Sequence, residues 1–440
     1  MDRRRFLGDA AAAAAAFSVG MAASGAAEAP AEGEDKRPVK FGFIGTGAQG
    51  RFDMKQALRN EACECIAVAD INPVNRQLGV KTAGGKARGY ADYREMLDKE
   101  KDLEAVVIAV PLFAHAPIVL DALDAGKRVF SEKALAHTVE QCQAVCRKAK
   151  DKGSWVQVGH QRRYSPFYGH AMKLMRKDKA LGAITTVQAH WHRNGPWRRA
   201  VPKDPPAIDF KKWGYESLEH LINWRLYTDY SGGLMAELGG HQLDIINWLL
   251  DMVPTRVTGI GGTDWYDDGR EVFDNVQCVF EYPNGIKFIY SSICTNAYHG
   301  FGEEFLGRDG TLLIEGVGRH YNGYLFRERR AADLEWMKEA KKSKVGGKKA
   351  ITLDTGATAQ TGMKGKQKEG KAMGSKGKKK RSRFDNYRDE FAAFFDSCRT
   401  GKRPFCSEIE GMESAVTVIM ANRAMRENTS LEIKPEIFQV

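Results

Sequence analysis

From residue 39 onward, short apolar runs alternate with amphipathic stretches. Val39 to Ile44 is strand-like and runs directly into Gly45-Thr46-Gly47-Ala48-Gln49-Gly50, after which a helix is expected through Leu58. Cys63 to Ala69 is a second strand, ending at Asp70. Ala105 to Val110 is continuously apolar, as in strands buried on both faces, and Pro111 stops it. Ala116 to Ala125 reads as a helix closed by Gly126, and Arg128 to Phe130 as a short strand delivering Ser131, Glu132 and Lys133. Trp155 to Val158 is the last strand of this series. Strict strand–helix alternation predicts a parallel sheet with helices on both faces. Farther along, Ile184 to His192, a hairpin from Val272 to Ser292 turning at Pro283-Asn284-Gly285, and Gly310 to Glu315 predict a second sheet.

The chain has 440 residues and a formal net charge of +11, a length suited to two domains. The charge is local: between Lys338 and Arg383, fourteen lysines and two arginines against Glu339, Asp354 and Glu369 give +13. That segment lacks apolar periodicity and interleaved aromatics, so it reads as a solvated insertion rather than a nucleic-acid surface. At the start, Arg3-Arg4 followed by Phe6-Leu7 and an alanine run from Ala10 predict a cleaved export signal within residues 1–30, of a kind resembling twin-arginine signals. Periplasmic or otherwise exported protein is the expected destination, with no transmembrane segment in the mature chain. The expected divisions are 1–30 signal, 38–160 first domain, 161–337 second domain, 338–383 insertion and 384–440 a helical segment completing the fold.

The eight cysteines have no metal-ligand spacing, and His190, His192 and His241 are scattered, so no metal is expected. Cys63 with Cys65 and Cys142 with Cys146 read as core residues. Cys398 and Cys406 flank a turn-like segment and are candidates for a disulfide in an exported protein.

The chemistry begins at the glycines. In a strand–turn–helix unit, the first permits the tight turn, the second lets the backbone approach a pyrophosphate, and the third lets helix pack on strand. Asp70, at the end of the second strand, is placed to accept ribose hydroxyls and repel a 2′-phosphate, which selects NAD over NADP; Arg76 nearby is what an NADP site would use. Lys133 stands just beyond a strand's carboxyl end, where such sheets present residues to a ligand. In the second half, Glu237 and His241 are four apart, a spacing that on an α-helix would let the carboxylate orient the imidazole.

Ile108-Ala109-Val110-Pro111-Leu112-Phe113-Ala114-His115, Ala125-Gly126-Lys127-Arg128-Val129-Phe130-Ser131-Glu132-Lys133-Ala134 and Gly232-Gly233-Leu234-Met235-Ala236-Glu237-Leu238-Gly239-Gly240-His241-Gln242-Leu243-Asp244 resemble three motifs of the glucose-fructose oxidoreductase and inositol dehydrogenase superfamily. Val110 replaces the usual threonine, Ala134 the proline and Glu237 the aspartate. The resemblance implies a Rossmann NAD(P)-binding domain followed by an α/β domain with a large, open, mostly antiparallel sheet through which subunits associate as homo-oligomers. It assigns Gly45, Thr46, Gly47, Ala48, Gln49, Gly50, Asp70, Asn72, Arg76, Ala109, Pro111, His115, Glu132, Lys133 and Gln161 to the cofactor, and Lys133, His241 and Glu237 to catalysis. Arg163 and Tyr164 in the crossover segment, Asn194, Trp197 and His241 are the expected substrate contacts. The implied activity is NAD(P)-dependent oxidation of a secondary hydroxyl on a sugar, glycoside or polyol, and export of a folded, loaded protein adds the expectation of a tightly bound, recycling cofactor. Glycoside cleavage by transient oxidation, elimination and re-reduction, and a non-catalytic cofactor-holding role, are the alternatives.

Overall fold

The computed structural model describes residues 37–332, 334–338, 340–353 and 381–440. The expected export signal and most of the lysine-rich segment lie outside them. In chain order the first half runs β1 (Val39–Ile44), α1 (Ala48–Ala57), β2 (Cys63–Ala69), α2 (Pro73–Thr82), β3 (Arg88–Tyr90), α3 (Tyr93–Lys99), β4 (Ala105–Ile108), α4 (His115–Asp124), β5 (Arg128–Glu132), α5 (Val139–Asp151) and β6 (Val156–Gly159). These strands form a six-stranded sheet in the order β3-β2-β1-β4-β5-β6, all neighbours parallel. The order reverses between β1 and β4, and a crevice opens beyond the carboxyl ends of those two strands. Gly45 sits there with φ +88°, and a Cβ on it would lie 2.5 Å from the Ala109 carbonyl oxygen, so only glycine fits.

The second half comprises α6 (Pro166–Met172), β7 (Ile184–His192), α7 (Leu218–Ile222), α8 (Gly240–Leu250), β8 (Arg256–Gly262), β9 (Asn275–Glu281), β10 (Lys287–Ile293), β11 (Phe301–Gly307), β12 (Gly310–Val317), β13 (His320–Arg327), β14 (Lys342–Val345), β15 (Lys348–Thr352), α9 (Asp385–Thr400), α10 (Glu408–Arg426) and β16 (Leu431–Glu432). Its ten-stranded sheet has the order β14-β15-β13-β12-β11-β7-β10-β9-β8-β16, antiparallel at each pairing except β7 with β10. The Val272 to Ser292 hairpin is present as β9–β10, with Asn284 and Gly285 at positive φ in its turn. Alternation sets the faces: Cys278, Phe280, Phe288 and Tyr290 are buried, whereas Val279 and Ile289 point the other way and are exposed.

Two expectations are corrected. The lysine-rich segment is not a solvated excursion at its start, because β14 and β15 form a hairpin on the edge of the large sheet, turning at Gly346-Gly347 with φ of 55° and 80°. Cys398 and Cys406 are free thiols, and all eight cysteines are free. Cys398 packs beside one apolar cluster and Cys406 is buried in another, so no short loop is stapled.

The carboxyl-terminal helices close the first domain. Phe391, Phe394 and Phe395 of α9 are buried against Phe41, Phe130 and Trp155 of the parallel sheet, with ring centroids 4.6 Å apart for Phe130–Phe391 and 5.2 Å for Phe41–Phe395. At about 2–3 kcal/mol for each fully buried phenylalanine, this face is a principal part of the first domain's core. α10 packs on β6, where Gly411 has no room for a Cβ beside Val158.

Candidate active site

A cleft of about 680 Å³ opens at the β1/β4 switch point, lined on one side by the glycine turn, Asp70, Pro111, Glu132 and Lys133, and on the other by Arg199, Trp213, Tyr215, Arg225, Glu237 and His241. At its floor α1 begins at Gly47 with no side-chain cap and no acid in its first turn, and a Cβ on Gly47 would meet nothing within 4 Å. The free N–H groups and open space suit the pyrophosphate of a dinucleotide. Gly50 is required by close packing, since a Cβ there would fall 2.0 Å from the Gly45 carbonyl oxygen.

Asp70 ties the turn together. Its Oδ2 accepts from the Thr46 N–H at 2.7 Å and its Oδ1 from the Asn72 N–H at 2.8 Å. Burial raises its pKa, opposed by these hydrogen bonds and by Arg76. Arg76 donates through Nη1 to the Asp70 carbonyl at 2.9 Å. Asn72 is the N-cap of α2, accepting from the Val74 and Asn75 N–H groups, and Gln49 donates to Asp53 at 2.9 Å. His115 is buried, with Nδ1 2.8 Å from the Ala134 carbonyl oxygen and Nε2 2.9 Å from that of Val110. It lies between the exits of β4 and β5, and because burial lowers its pKa the neutral ring donates to only one of the two carbonyls at a time.

β5 delivers Glu132 and Lys133, and the Lys133–Ala134 peptide is cis. Lys133 Nζ donates to the carbonyl oxygens of Ala236 and Glu237, both at 3.0 Å. Those carbonyls belong to a π-helical turn, Met235–Gly239, that precedes α8. The wider turn also corrects the expected Glu237–His241 contact, because side chains four apart do not align there as they do on an α-helix. Glu237 instead accepts from Arg225 Nε at 2.7 Å. Burial pushes the Glu237 pKa up, but Arg225 and Lys133 outweigh it and hold the carboxyl below its usual value. His241 lines the cleft with Nδ1 buried and without a hydrogen-bond partner, its ring 5.5 Å from that of Trp191. Burial and the charges of Lys133, Arg162 and Arg383 drive its pKa well below 6.5, so it is neutral at neutral pH.

Behind Lys133, Glu132 accepts from the Lys133 backbone N–H at 3.0 Å. Burial raises its pKa to about 7 against the pull of Lys133. Asp53, fully buried, is raised by burial and by Glu132. The pair thus retains a proton near neutrality. Gln161 donates to the Tyr387 hydroxyl at 2.7 Å, and Tyr387 lines the cleft.

The other expected substrate residues lie elsewhere. Arg163 is a buried structural cation, donating through Nε to Asp244 at 2.9 and 3.1 Å, so its guanidinium is spent on an ion pair. The Tyr164 hydroxyl is buried without a partner and its ring packs edge-on to Phe405. Asn194 is exposed outside the cleft lining and bridges to Thr295. Trp197 carries the Arg193 guanidinium 4.5 Å from its ring centroid.

Residues unmarked by any local motif complete the cleft. The segment from Arg199 to Arg225 forms its far wall with Pro202, Pro205, Pro206, Trp213 and Tyr215. It is anchored to the first domain by Phe113, whose ring lies 5.2 Å from both Tyr215 and Tyr230. The cleft floor and far wall thereby enclose the same space.

The pattern of the oxidoreductase family with an NAD-binding Rossmann fold matches residues 39–160, and that of the oxidoreductase family's C-terminal alpha/beta domain matches residues 177–433. An inositol 2-dehydrogenase of Salmonella typhimurium is 30% identical over 199 residues, 44% of this chain and 56% of that protein, so the match spans little more than half of that relative. An inositol 2-dehydrogenase/D-chiro-inositol 3-dehydrogenase of Lactiplantibacillus plantarum is 33% identical over 286 residues, 63% of this chain and 72% of the other. In fold, the chain is similar to a levoglucosan dehydrogenase in complex with NADH, with a TM-score of 0.69 at 18% identity, covering 90% of this chain and 100% of that one. An aldose-aldose oxidoreductase of Caulobacter crescentus gives a TM-score of 0.66 at 18% identity with the same coverage.

Proposed function

The chain belongs to the oxidoreductase family whose members join an NAD-binding Rossmann fold to a C-terminal α/β domain, and on that premise we propose that it oxidises a secondary hydroxyl of a sugar, glycoside or polyol with a retained NAD. The observation that carries this reading is that Lys133, on the side of the glycine turn and the uncapped α1, and a neutral His241 on the facing wall line one cleft. NAD, when bound, supplies the acceptor for the hydrogen that leaves the carbinol carbon with its electron pair.

The residues of the chain handle the proton. A lysine ammonium has three donors, and two of Lys133's are occupied by the Ala236 and Glu237 carbonyls. The third is left for the substrate oxygen, which it orients and whose developing negative charge it stabilises. His241 takes the hydroxyl proton on its unprotonated ring nitrogen. Glu237 is not the base, because its carboxylate is engaged by Arg225. It places Lys133 through its backbone carbonyl.

Asp70 at the end of β2, with Arg76 engaged on a backbone carbonyl, favours NAD over NADP. The anchored Arg199–Arg225 wall supports retention of the cofactor through successive turnovers. Export as a folded, loaded protein, expected from Arg3 and Arg4, fits the same cycle. Ile260, Val279 and Ile289 stand exposed on one face of the large sheet and support self-association through it.

The test is to purify the protein without added nucleotide, identify any extracted cofactor by mass, and mix the holoprotein with polyols, sugars and glycosides. Bound NAD that becomes reduced, with formation of a keto product, is the expected result. A cofactor-bearing protein that produces neither reduced nicotinamide nor keto sugar nor released aglycone overturns the reading.

A further inference from the structure

Arg193 and Arg199 both lie within electrostatic reach of Arg225, and of the three only Arg225 has a carboxylate partner among the described residues. Arg225 is paired with Glu237 at 2.7 Å and stacked 4.3 Å from the centroid of Trp224. Arg199 is brought alongside by Asn223, which is buried and grips the Arg199 backbone twice: Oδ1 accepts from the Arg199 N–H at 2.7 Å, and Nδ2 donates to its carbonyl at 2.9 Å. Arg199 and Arg225 both line the cleft. Arg193 stands outside the cleft lining, half-buried, with its guanidinium over the Trp197 ring. Neither Arg193 nor Arg199 has an ion-pair partner among the described residues. The adjacent Arg198 is different, since it is tied to Glu219 and Asp268.

Holding guanidiniums near one another, with Arg193 half-buried and Arg199 exposed, is unfavourable where only one has an acidic partner. The pKa values of Arg193 and Arg199 are lowered first by partial desolvation, with Arg225 contributing to both. The arrangement is relieved by an anion. Stacking on tryptophan fixes the planes of Arg193 and Arg225, and a planar guanidinium fork matches a carboxylate, phosphate or sulfate. Arg225 holds its charge beside Glu237, whereas the uncapped start of α1 provides for the dinucleotide's own phosphates.

We infer that Arg193, Arg199 and Arg225 form an anion subsite, and that the sugar taken by this cleft carries a carboxylate or a phosphate or sulfate ester in addition to the hydroxyl that reacts. The inference rests on the reading of the cleft as a sugar site and deepens it. Arg199 faces the ligand from the cleft lining, Arg193 adds its charge from outside that lining, and Arg225 is shared with Glu237.

The test is calorimetric titration of the cofactor-loaded protein with glucuronate, a glucose phosphate, a glucose sulfate and glucose, at low and high salt. At least one anionic sugar is expected to bind about tenfold or more tightly than glucose, with the margin shrinking at high salt. Separate Arg193→Met and Arg199→Met variants, each checked for an unchanged unfolding transition, are expected to bring the anionic-to-neutral affinity ratio toward one. Glucose binding as tightly as every anionic sugar, or ratios unmoved in both variants, would overturn the inference. So would variants that lose cofactor while keeping the native ratio, because the arginines would then serve the dinucleotide. Nicotinamide absorbance in the same mixtures separates the two readings. Selective binding of an anionic sugar without NAD reduction defeats the dehydrogenase and preserves the subsite. Reduction by neutral sugars with no anionic preference does the reverse.

Discussion

Lys133→Met removes an ammonium whose two known hydrogen bonds, at 3.0 Å each, go to carbonyls of the π-helical turn. The donor left over is the one assigned to the substrate oxygen. Removing one preorganised donor to developing oxyanion charge costs about 2.7–4 kcal/mol, or roughly 100- to 1,000-fold in rate. The methionine is similar in length and apolar, so the glycine turn and the start of α1 are untouched and cofactor retention should be preserved. A second effect follows from the charge itself. Lys133 is the foremost of the cations that lower the His241 pKa, after burial. Without it, the His241 pKa should rise toward 6.5, and the acid limb of the activity profile should move to higher pH. The assay is single-turnover reduction of bound NAD by the most active sugar or polyol, with the substrate deuterated at the carbinol carbon, followed across pH. A rate within about threefold of native, worth only about 0.7 kcal/mol, would refute the role given to Lys133. So would an acid limb that does not move while the rate falls, since the lysine would then act at a distance from the base.

His241→Asn keeps a polar side chain but removes the proton acceptor; reduction should fall by about 100-fold or more, and the acid limb should disappear from the pH profile of the residual rate. Glu132 has its pKa raised to about 7, so the folded protein holds a proton that the unfolded chain releases above its ordinary 4.5. Stability from this group is therefore fully present below about pH 4.5 and is lost as pH rises toward 7, and Glu132→Gln should gain on native protein by on the order of 2 kcal/mol across that window in urea unfolding at stepped pH. Glu303 is fully buried, accepts from Arg162 at 2.6 Å and from the Tyr168 hydroxyl at 2.9 Å. Glu303→Gln should destabilise by about 3–5 kcal/mol, because Arg162 is left charged and unpaired, whereas replacing both partners with apolar residues should recover much of that loss in the same unfolding experiment.

The parallel sheet and its glycine turn were legible because strand, glycines, helix and acid follow one another in sequence, each with its own local physics. Lys133 was legible for the same reason, at a strand's end. Arg163 was misread because a polar crossover segment looks the same whether its arginine meets a ligand or an internal acid, and its partner Asp244 lies 81 positions away. Arg199, Arg225 and Tyr387 carry no motif and line one cleft only after the second domain and α9 have packed. The β14–β15 hairpin did have a local mark, Gly346-Gly347 at positive φ, but the surrounding lysines masked it.

Glu237 shows why spacing alone was not enough. On a regular α-helix, the carbonyls of residues 236 and 237 would accept from the N–H groups four residues on. In the Met235–Gly239 turn the Gly240 N–H reaches back five residues to Met235, so the usual pairing is displaced where Lys133 approaches. The turn presents the Ala236 and Glu237 carbonyls to the ammonium and swings the Glu237 carboxylate away from His241 toward Arg225. An aspartate at this position would be one methylene too short to make that ion pair without drawing Arg225 inward. The longer acid, the wide turn and the arginine beside them therefore form one arrangement, in which the carboxylate fixes a cation at the substrate end of the cleft instead of serving the base.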